Sequence, residues 1–428
     1  MALTGMQIYK NLPKTNCKEC GLPTCMAFAM QVASKQRSLS DCPQLSEEAS
    51  ETLSEASAPP MKLVKIGTGE KVFEIGQETV MYRHEEKFHR STGIAIVIPG
   101  GLSDEDAAGC IETINSRKYE RVGAELKVAL AAIDVESAAD PAGRAKLAEK
   151  SAVPIVLTAS SKEKLAPAVE AIKGLRPLVY CAEAGNIEEF AGIAAEAKLP
   201  LAVRGKDLGE LSELTSKAKE KGVEELVLAF AGKGPGDTVR DLTIARRAAL
   251  KKQFQPLGYP AMVELEGEEP EMETVLAATY AAKYGGIVLI RGTEPWELLP
   301  IMTCVQDVYT DPQVPNTVEA KLYEIGNTNE NSPVMFTTNF SLTYFSVAGE
   351  VERSKVGTYI CVVDTEGLGV LNAYAGDKIS AEKVVKAIDA QGVADKVKHR
   401  KLIIPGLLPV FRAENAREIP AFLTKGWK

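Results

Sequence analysis

From residue 93 onward the hydrophobic pattern settles into a rhythm. Short apolar runs recur at Ile94–Ile98, Lys127–Ile133, Pro154–Thr158, Pro177–Tyr180, Pro200–Val203, Glu225–Ala229, Pro260–Glu264 and Gly286–Ile290. Successive starts lie 23 to 35 residues apart. Between them stand Ala-, Glu- and Lys-rich segments of helical period, such as Asn186–Ala197 and Ser212–Lys221. Eight strand–helix units in about 200 residues predict a (β/α)8 barrel, with a doubly wound open sheet as the competing arrangement. Upstream, Met61–Ile66 and Lys71–Ile75 alternate about Gly67-Thr68-Gly69, the pattern of a β-hairpin, and Thr79–Tyr82 forms a third run. Downstream of the barrel come a helix holding Trp296, Leu298 and Leu299 and a polar connector over Gly326–Asn331. The tail then offers strands at Val334–Thr337, Tyr359–Val363 and Leu402–Ile404, and a helix at Ala381–Ala390 behind the N-cap Ser380.

The first 57 residues have a different texture. Thr4 and Gln7 fit a capping box, Ile8, Tyr9 and Leu12 form one apolar face, and Pro13 ends that helix. A second helix starts near Cys25, a third opens at Ser46-Glu47-Glu48, and Ala56–Pro60 reads as a linker. The expected layout is an α/β multidomain chain. A small helical unit spans residues 1–57, a linker and small antiparallel sheet 58–92, a TIM-like barrel 93–325, and a smaller C-terminal α/β domain 326–428.

Charge narrows the partners. Against 58 carboxylates the 428 residues carry 50 Lys and Arg, a net charge of −8. That balance lacks the basic footprint nucleic acid demands. No apolar stretch approaches the ~18–20 residues that span a bilayer, and the first twenty residues hold three lysines without an apolar core. The expectation is a cytoplasmic protein with no nucleic-acid or membrane partner.

Cysteine distribution is the sharpest chemical signal. Four of the eight fall in Cys17-x2-Cys20-x4-Cys25-x16-Cys42, with Pro43 after the last. In a reduced compartment such a group reads as a metal site. One close pair and one distant ligand suit a [4Fe–4S] cubane better than zinc, which favours paired knuckles; zinc stays open as an alternative. Gly21 would keep the loop close to the sulfurs, and Leu22, Met26, Phe28 and Met30 could shield the cluster. Cys110, Cys181, Cys304 and Cys361 lie in apolar surroundings and read as structural.

Leu12-Pro13-Lys14, Cys17-Lys-Glu-Cys20-Gly21, Pro23–Ala29 and Asp41-Cys42-Pro43 resemble the N-terminal cluster domain of the corrinoid iron–sulfur protein large (gamma) subunit family, and Thr337–Tyr344 and Asp364–Gly367 fit its corrinoid domain. The resemblance covers nearly the whole chain. It implies a methyl carrier of the reductive acetyl-CoA pathway, whose cobalt takes a methyl group from methyltetrahydrofolate through a methyltransferase and passes it to acetyl-CoA synthase. The cluster would return inactive Co(II) to Co(I). It also implies a heterodimer with a small (delta) subunit and contacts with the methyltransferase, with acetyl-CoA synthase/CO dehydrogenase and with a reductive activator.

No Asp-x-His-x-x-Gly run exists, and His84, His89 and His399 all sit in charged surroundings. The expectation is therefore a cobalamin-type corrinoid held base-off, with no side chain on cobalt. Dropping the nitrogen donor raises the Co(II)/Co(I) potential into reach of a low-potential cluster. Two segments are the expected pocket: Asn339, Phe340, Thr343 and Ser346 at one strand end, and Gly367, Gly369, Val370, Leu371, Asn372 and Ala373 at another. The family's tail carries Gly-Pro-Arg-Glu-Ala before its final Pro-x-Phe-Leu. Here Phe411–Asn415 runs straight into Ala416–Leu423, a tail either shortened or lacking residues between Asn415 and Ala416, and no corrin contact is carried over to it.

The barrel's strand ends carry Gly100-Gly101, Asp134, Glu183, Arg204, Lys233, Asp237, Glu264 and Arg291, but residues 93–291 hold no histidine. Gly232–Asp237 lacks the Gly-Lys-Ser/Thr ending of a phosphate loop. Scaffolding is the expected role of the barrel. Two other readings remain: a pterin-dependent barrel methyltransferase with a built-in Fe–S electron-transfer domain, and a zinc-stapled interaction module without enzymatic activity.

Overall fold

The computed structural model describes residues 5–33, 37, 41–46, 59–232 and 234–409. Thr4 of the expected capping box, the helix expected after Ser46, Lys233 and the tail around Asn415–Ala416 lie outside them. Helices α1 (Gly5–Asn11) and α2 (Cys25–Ala33) pack through Ile8, Leu12, Cys25, Phe28 and Ala29. Strands β1 (Leu63–Thr68) and β2 (Lys71–Gly76) pair antiparallel as the expected hairpin. Thr79–Tyr82 adds no third strand. Residues 77–92 instead form an irregular strap whose turns are held by the buried Glu78 carboxylate, which accepts the amides of His89 (2.9 Å) and Arg90 (2.8 Å).

The barrel follows. Its elements are β3 (Gly93–Ile98), α3 (Asp104–Ser116), β4 (Lys118–Arg121), β5 (Ala124–Lys127), β6 (Leu130–Asp134), α4 (Pro141–Lys146), β7 (Ile155–Thr158), α5 (Lys162–Ile172), β8 (Leu178–Ala182), α6 (Ile187–Ala197), β9 (Leu201–Arg204), α7 (Leu208–Glu220), β10 (Leu226–Phe230), α8 (Pro235–Lys252), β11 (Ala261–Glu264), α9 (Pro270–Ala282), β12 (Gly285–Ile290) and α10 (Pro295–Tyr309). Strands β3, β6–β12 close into a parallel barrel. All eight expected runs are its strands, so the open-sheet arrangement is excluded. One run is corrected at its start: Lys127 ends β5, and the barrel strand begins at Leu130. Strands β4 and β5 are a separate hairpin turning at Val122-Gly123, both in the left-handed region.

The β1–β2 hairpin stoppers the barrel's N-terminal end. Val64, Ile66 and Ile75 share one core with the interior residues Ala95, Leu130, Val156, Leu178, Ala202, Val227, Met262 and Ile287. The strap is pinned beside it by Arg246, whose guanidinium pairs with Glu78 (3.3 Å) and lies over Phe88 (4.8 Å) and Tyr284 (4.6 Å). Both charged side chains are 6% exposed. Arg246→Ala leaves a buried carboxylate unpaired and is expected to cost about 3–5 kcal/mol, read by denaturant unfolding.

Beyond the barrel lie β13 (Leu322–Ile325), β14 (Val334–Thr338), α11 (Ser341–Ser354), β15 (Thr358–Val363), α12 (Val370–Ala375), α13 (Ala381–Ala390), α14 (Val393–Lys396) and β16 (Leu402–Ile403). The sheet order is β13-β15-β14-β16, with β13 antiparallel at one edge. Its fourth strand thus comes from residues ahead of the Gly326–Asn331 connector. Alternation along β15 splits the core: Ile360 and Val362 pack with Tyr344, Ala348 and Val351 of α11, while Tyr359, Cys361 and Val363 pack with α12, α13 and α14. The winding reverses at β14, because β15 is added on one side of it and β16 on the other. Open sheets bind ligands beyond the strand C-termini at such a reversal.

Candidate functional site

The cluster end is built by a loop between α1 and α2. Lys14, Asn16, Lys18 and Gly21 all take positive φ, which coils the chain tightly enough to turn its cysteines inward. Asn16 Oδ1 accepts the Cys25 amide at 2.8 Å, and Thr24 Oγ1 caps α2 by accepting the Ala27 amide at 3.1 Å. Cys25 therefore sits in the first turn of α2, where the helix dipole favours a thiolate. Cys17, Cys20, Cys25 and Cys42 line one recess with Leu22 and Phe28, and all four are free thiols. Burial pushes the Cys42 thiol up, an amide bond from Gln44 opposes this, and the nearby Cys20, Cys25 and Cys17 add to the rise.

Among the described residues no three His, Cys, Asp or Glu converge as ligands of a single metal ion. The four cysteines line one recess, and their soft thiolate donors fit an iron–sulfur cluster. Of the four shielding residues expected, Leu22 and Phe28 face the recess. Met30 does not: it is exposed and packs its sulfur over Gly5, where α1 and α2 approach closely. Met26 is absent from the recess wall.

The second site lies where β14 and β15 end. Asn339 follows β14, and its side chain is a staple. Oδ1 accepts the Thr365 amide, the Thr365 hydroxyl and the Gly367 amide, each at 3.0 Å, and Nδ2 donates to Asp364 Oδ1 at 2.9 Å. This fastens the loop Asp364–Gly369 to the neighbouring strand. Gly367 has φ +77°, and a Cβ there would stand 2.7 Å from Pro315 and Thr317. Gly369 lies over Phe340 and Thr343, 3.5 and 3.7 Å from where its Cβ would be. Both expected segments thus meet at one end of the sheet, though not every residue faces outward. Val370 and Ala373 are core residues against the sheet, and Ser346 spends its hydroxyl on the Leu342 carbonyl (2.7 Å). Leu371, Asn372 and Tyr374 of α12 are exposed, as is Leu342 in the first turn of α11. Thr338, fully buried at the tip of β14, has a hydroxyl without a partner.

Exposed apolar side chains, a glycine loop and an orphaned buried hydroxyl together fit a large, mostly apolar ligand with peripheral amides. The connector at residues 315–318 joins this end as well: Thr317 bridges Phe340, and Val318 donates to the Asn339 carbonyl at 2.9 Å. Sequence reasoning missed that segment, Thr338 and the Asp364–Thr365 staple. Only the Asn-then-Asp-Thr-x-Gly spacing hinted at the last.

Of the three imidazoles, His399 belongs to the far end of the sheet, whereas the His84 carbonyl accepts the Gln313 side chain at 3.2 Å, two residues before Pro315. His399 uses both ring nitrogens, on the Ser332 carbonyl (2.8 Å) and the Lys401 amide (3.2 Å), and Ser332 precedes β14 at the opposite end of the sheet. His84 stacks on Tyr82 and His89 pairs with Glu86 at 3.2 Å.

At the barrel's C-terminal mouth the expected charged ring is tied internally. Asp134 accepts the Gly100 amide (3.1 Å) and Asp237 pairs with Arg240 (2.6 Å). Arg204 pairs with Glu183 and reaches Glu264 at 3.8 Å, Arg291 reaches Glu264 at 3.8 Å, and the Tyr180 hydroxyl donates to Glu264 across the interior. Burial raises the Glu264 carboxyl, and burial pushes Tyr180 well up. Cys181 and Cys361 are buried with thiols pushed up to about 12. The charged groups of the mouth pair with one another, while the Thr158 hydroxyl at the end of β7 is buried without a partner. Because Gln keeps the acceptor for Tyr180, Glu264→Gln is expected to change methyl transfer less than about twofold, measured with purified partner enzymes.

A sulfur-lined recess on one small domain, a closed barrel, and a wound sheet with an apolar strand-end platform define a multidomain electron-relay and cofactor-carrier protein. Comparison with known proteins specifies it. The family model for the CO dehydrogenase/acetyl-CoA synthase delta subunit matches residues 63–420, and one for an Fe-S cluster matches residues 12–44. The corrinoid/iron-sulfur protein large subunit of Moorella thermoacetica is 42% identical over 417 residues, covering 97% of this chain and 94% of that protein. The acetyl-CoA decarbonylase/synthase complex subunit gamma of Methanothermobacter thermautotrophicus is 34% identical over 422 residues, covering 95% and 92%. The chain belongs to the corrinoid iron–sulfur protein large (gamma) subunit family. Its cofactors are accordingly an iron–sulfur cluster and a corrinoid.

Proposed function

We propose that the chain is a methyl-group carrier of the acetyl-CoA pathway, in which a base-off corrinoid supplies the cobalt that accepts and donates the methyl group and a [4Fe–4S] cluster supplies the electron that restores oxidised cobalt. Cys17, Cys20, Cys25 and Cys42 would hold the cluster. Phe340, Thr343, Gly367 and Gly369, with Leu371 and Asn372, would hold the corrin face. Asn339 orients the loop beneath it, and the buried Thr338 hydroxyl offers a hydrogen bond. The observation that carries this reading is the joint presence of both sites in one chain: four cysteines lining one recess, and a partly apolar platform at a sheet's winding reversal.

The barrel-methyltransferase reading finds no such support. Helix α10 runs down the barrel to Tyr309, whose hydroxyl meets Thr92 at the strands' N-terminal side (3.2 Å), and the connector then leads to the corrin end. The barrel's mouth and the corrin platform thus belong to opposite ends of the barrel strands. Partners fitting a carrier are a small (delta) subunit, the methyltetrahydrofolate methyltransferase, acetyl-CoA synthase/CO dehydrogenase and a reductive activator. None of the described helices is long and apolar enough to cross a membrane, and the free thiols suit the reduced cytoplasm.

The test is anaerobic purification with absorption spectroscopy and metal analysis. Corrin bands, a broad shoulder near ~400 nm, about four iron and one cobalt per chain are expected. A colourless zinc protein, or iron without cobalt, overturns the reading.

A further inference from the structure

The tail domain is supported from α10 in two places. Beyond its end runs the connector, which the strap holds: Arg83 donates to the Thr310 carbonyl at 3.0 Å, and the Gln313 side chain donates to the His84 carbonyl at 3.2 Å. Asp311 Oδ1 accepts the Gln313 and Val314 amides at 2.8 and 3.3 Å, a turn framed by Pro312 and Pro315. The other support is the β4–β5 hairpin, which stands outside the closed barrel. Arg117, just ahead of β4, donates to the Thr293 carbonyl at 2.8 Å. Arg121 donates to Gln306 and to Asp307 (3.0 Å) of α10, and the Gln306 side chain donates back to the Arg121 carbonyl at 2.9 Å. At the hairpin tip Val122 and Gly123 both hold left-handed backbone, φ 52° and 72°, an uncommon place for a β-branched residue. A Cβ on Gly123 would stand 2.5 Å from the Phe345 ring. Phe345 lies on α11, two residues beyond Thr343 of the platform, and packs edge-on against Tyr344 with ring centroids 5.1 Å apart.

We propose that the β4–β5 hairpin is a strut that fixes where the corrin platform stands against the barrel, with Gly123 and Phe345 as positioning residues for methyl transfer. The inference rests on the reading of the strand-end platform as the corrin site. Helix α11 is held at its start by the Ser341 amide on the Asn316 carbonyl (2.9 Å) and one turn later by Phe345 on the hairpin. It cannot tilt on the first support without lifting off the second, and Phe340 and Thr343 lie between them. A methyl donor or acceptor that sits in another protein and grips the barrel meets the platform at a distance set by the strut. A misplacement of about 1 Å can cost such a transfer on the order of a hundredfold. A small free methyl donor needs only an open face of the cofactor. The strut therefore governs protein-borne methyl groups and leaves small ones untouched.

The experiment compares two methyl donors on the full-length protein, purified with its companion subunits and pre-reduced: methyltetrahydrofolate with its methyltransferase, and methyl iodide alone. Phe345→Ala is expected to lower kcat with the methyltransferase roughly tenfold at unchanged KM, with wild-type corrin content and a wild-type methyl iodide rate. Phe345→Leu, which refills the seat, should recover most of that loss. Arg121→Ala frees the hairpin from α10 without altering the tail domain and should reproduce the defect at smaller size. Gly123→Ala should slow transfer as well, yet add little in the Phe345→Ala background, where the ring it displaces is gone. Wild-type kcat in Phe345→Ala or Arg121→Ala, additive effects in the double variant, loss of corrin from Phe345→Ala, or equal slowing with both methyl donors overturns the strut. Absence of corrin from the wild type overturns the platform reading itself, a different failure.

Discussion

Cys20→Ala is expected to give a protein that still binds its corrinoid and, when pre-reduced, still accepts a methyl group, yet cannot be rescued after oxidation by a low-potential donor. The expectation follows from how separately the two sites are built. Cys20 belongs to a small core of α1, α2, the cysteine loop and the Cys42–Leu45 segment, whereas the platform rests on the tail sheet and on the connector at residues 315–318. Removing one of four thiolates leaves the recess unable to complete its ligand set, and a domain this small draws much of its stability from the bound metal. Iron should fall well below about four per chain, with loss of the broad visible absorption and of the reduced cluster's EPR signal. The corrin bands should persist at the wild-type ratio to protein. Loss of methyl acceptance in step with loss of rescue would contradict this division of labour. Retention of a full cluster would remove Cys20 from the ligand set.

What the sequence disclosed and what it concealed divide along a physical line. The barrel strands were legible because each is a short apolar run with a hard boundary: Pro154, Pro177, Pro200 and Pro260 stand immediately before theirs, and two buried faces erase alternation in favour of continuous Val, Ile, Leu and Ala. The hairpin β4–β5 was concealed because its turn is Val122-Gly123, with a β-branched residue in the left-handed position where Asn or Asp normally announces such a turn. Strand β13 was hidden for another reason. Its residues are half-buried and lie at an edge, and its partner β15 begins 33 residues after its own end, so only tertiary pairing reveals it. The grouping of the four cysteines stood out from spacing alone, and the fold brings them to one recess. Which residues face the corrin end was not legible, because Val370 and Leu371 differ only in which side of one helical turn they occupy, and that is set by the sheet beneath. Met30 misled in the same way: a helix periodicity places it on a face, but the close approach of α1 at Gly5 decides what covers that face.

Asn339→Ala is expected to empty the corrin platform without unfolding the barrel. One side-chain oxygen satisfies two backbone amides in a region where Thr365 is wholly buried, so truncation strands both amides at once, while the Thr365 hydroxyl keeps the Leu368 carbonyl at 2.8 Å. Each buried unpaired donor costs about 1–3 kcal/mol, enough in sum for the loop Asp364–Gly369 to open rather than stay dry. Gly367 then leaves its seat against Pro315 and Thr317, and the platform loses its shape. Corrin per chain after gel filtration should drop at least tenfold, and amide exchange at Thr365 and Gly367 in the corrin-free protein should accelerate by orders of magnitude. Asn339→Asp separates the two halves of the staple. It keeps the accepting oxygen but replaces the Nδ2 donor with a second carboxylate against Asp364, which the native amide bonds at 2.9 Å. Two facing carboxylates raise one another's pKa, so the pair shares a proton at low pH and repels at high pH. Retention of corrin by Asn339→Asp should therefore be near wild type at about pH 5 and fall toward the alanine variant at about pH 8, a dependence neither wild type nor Asn339→Ala shares. A pH-independent aspartate variant would mean that the Asp364 contact contributes nothing, and unchanged exchange in Asn339→Ala would mean that the loop holds itself.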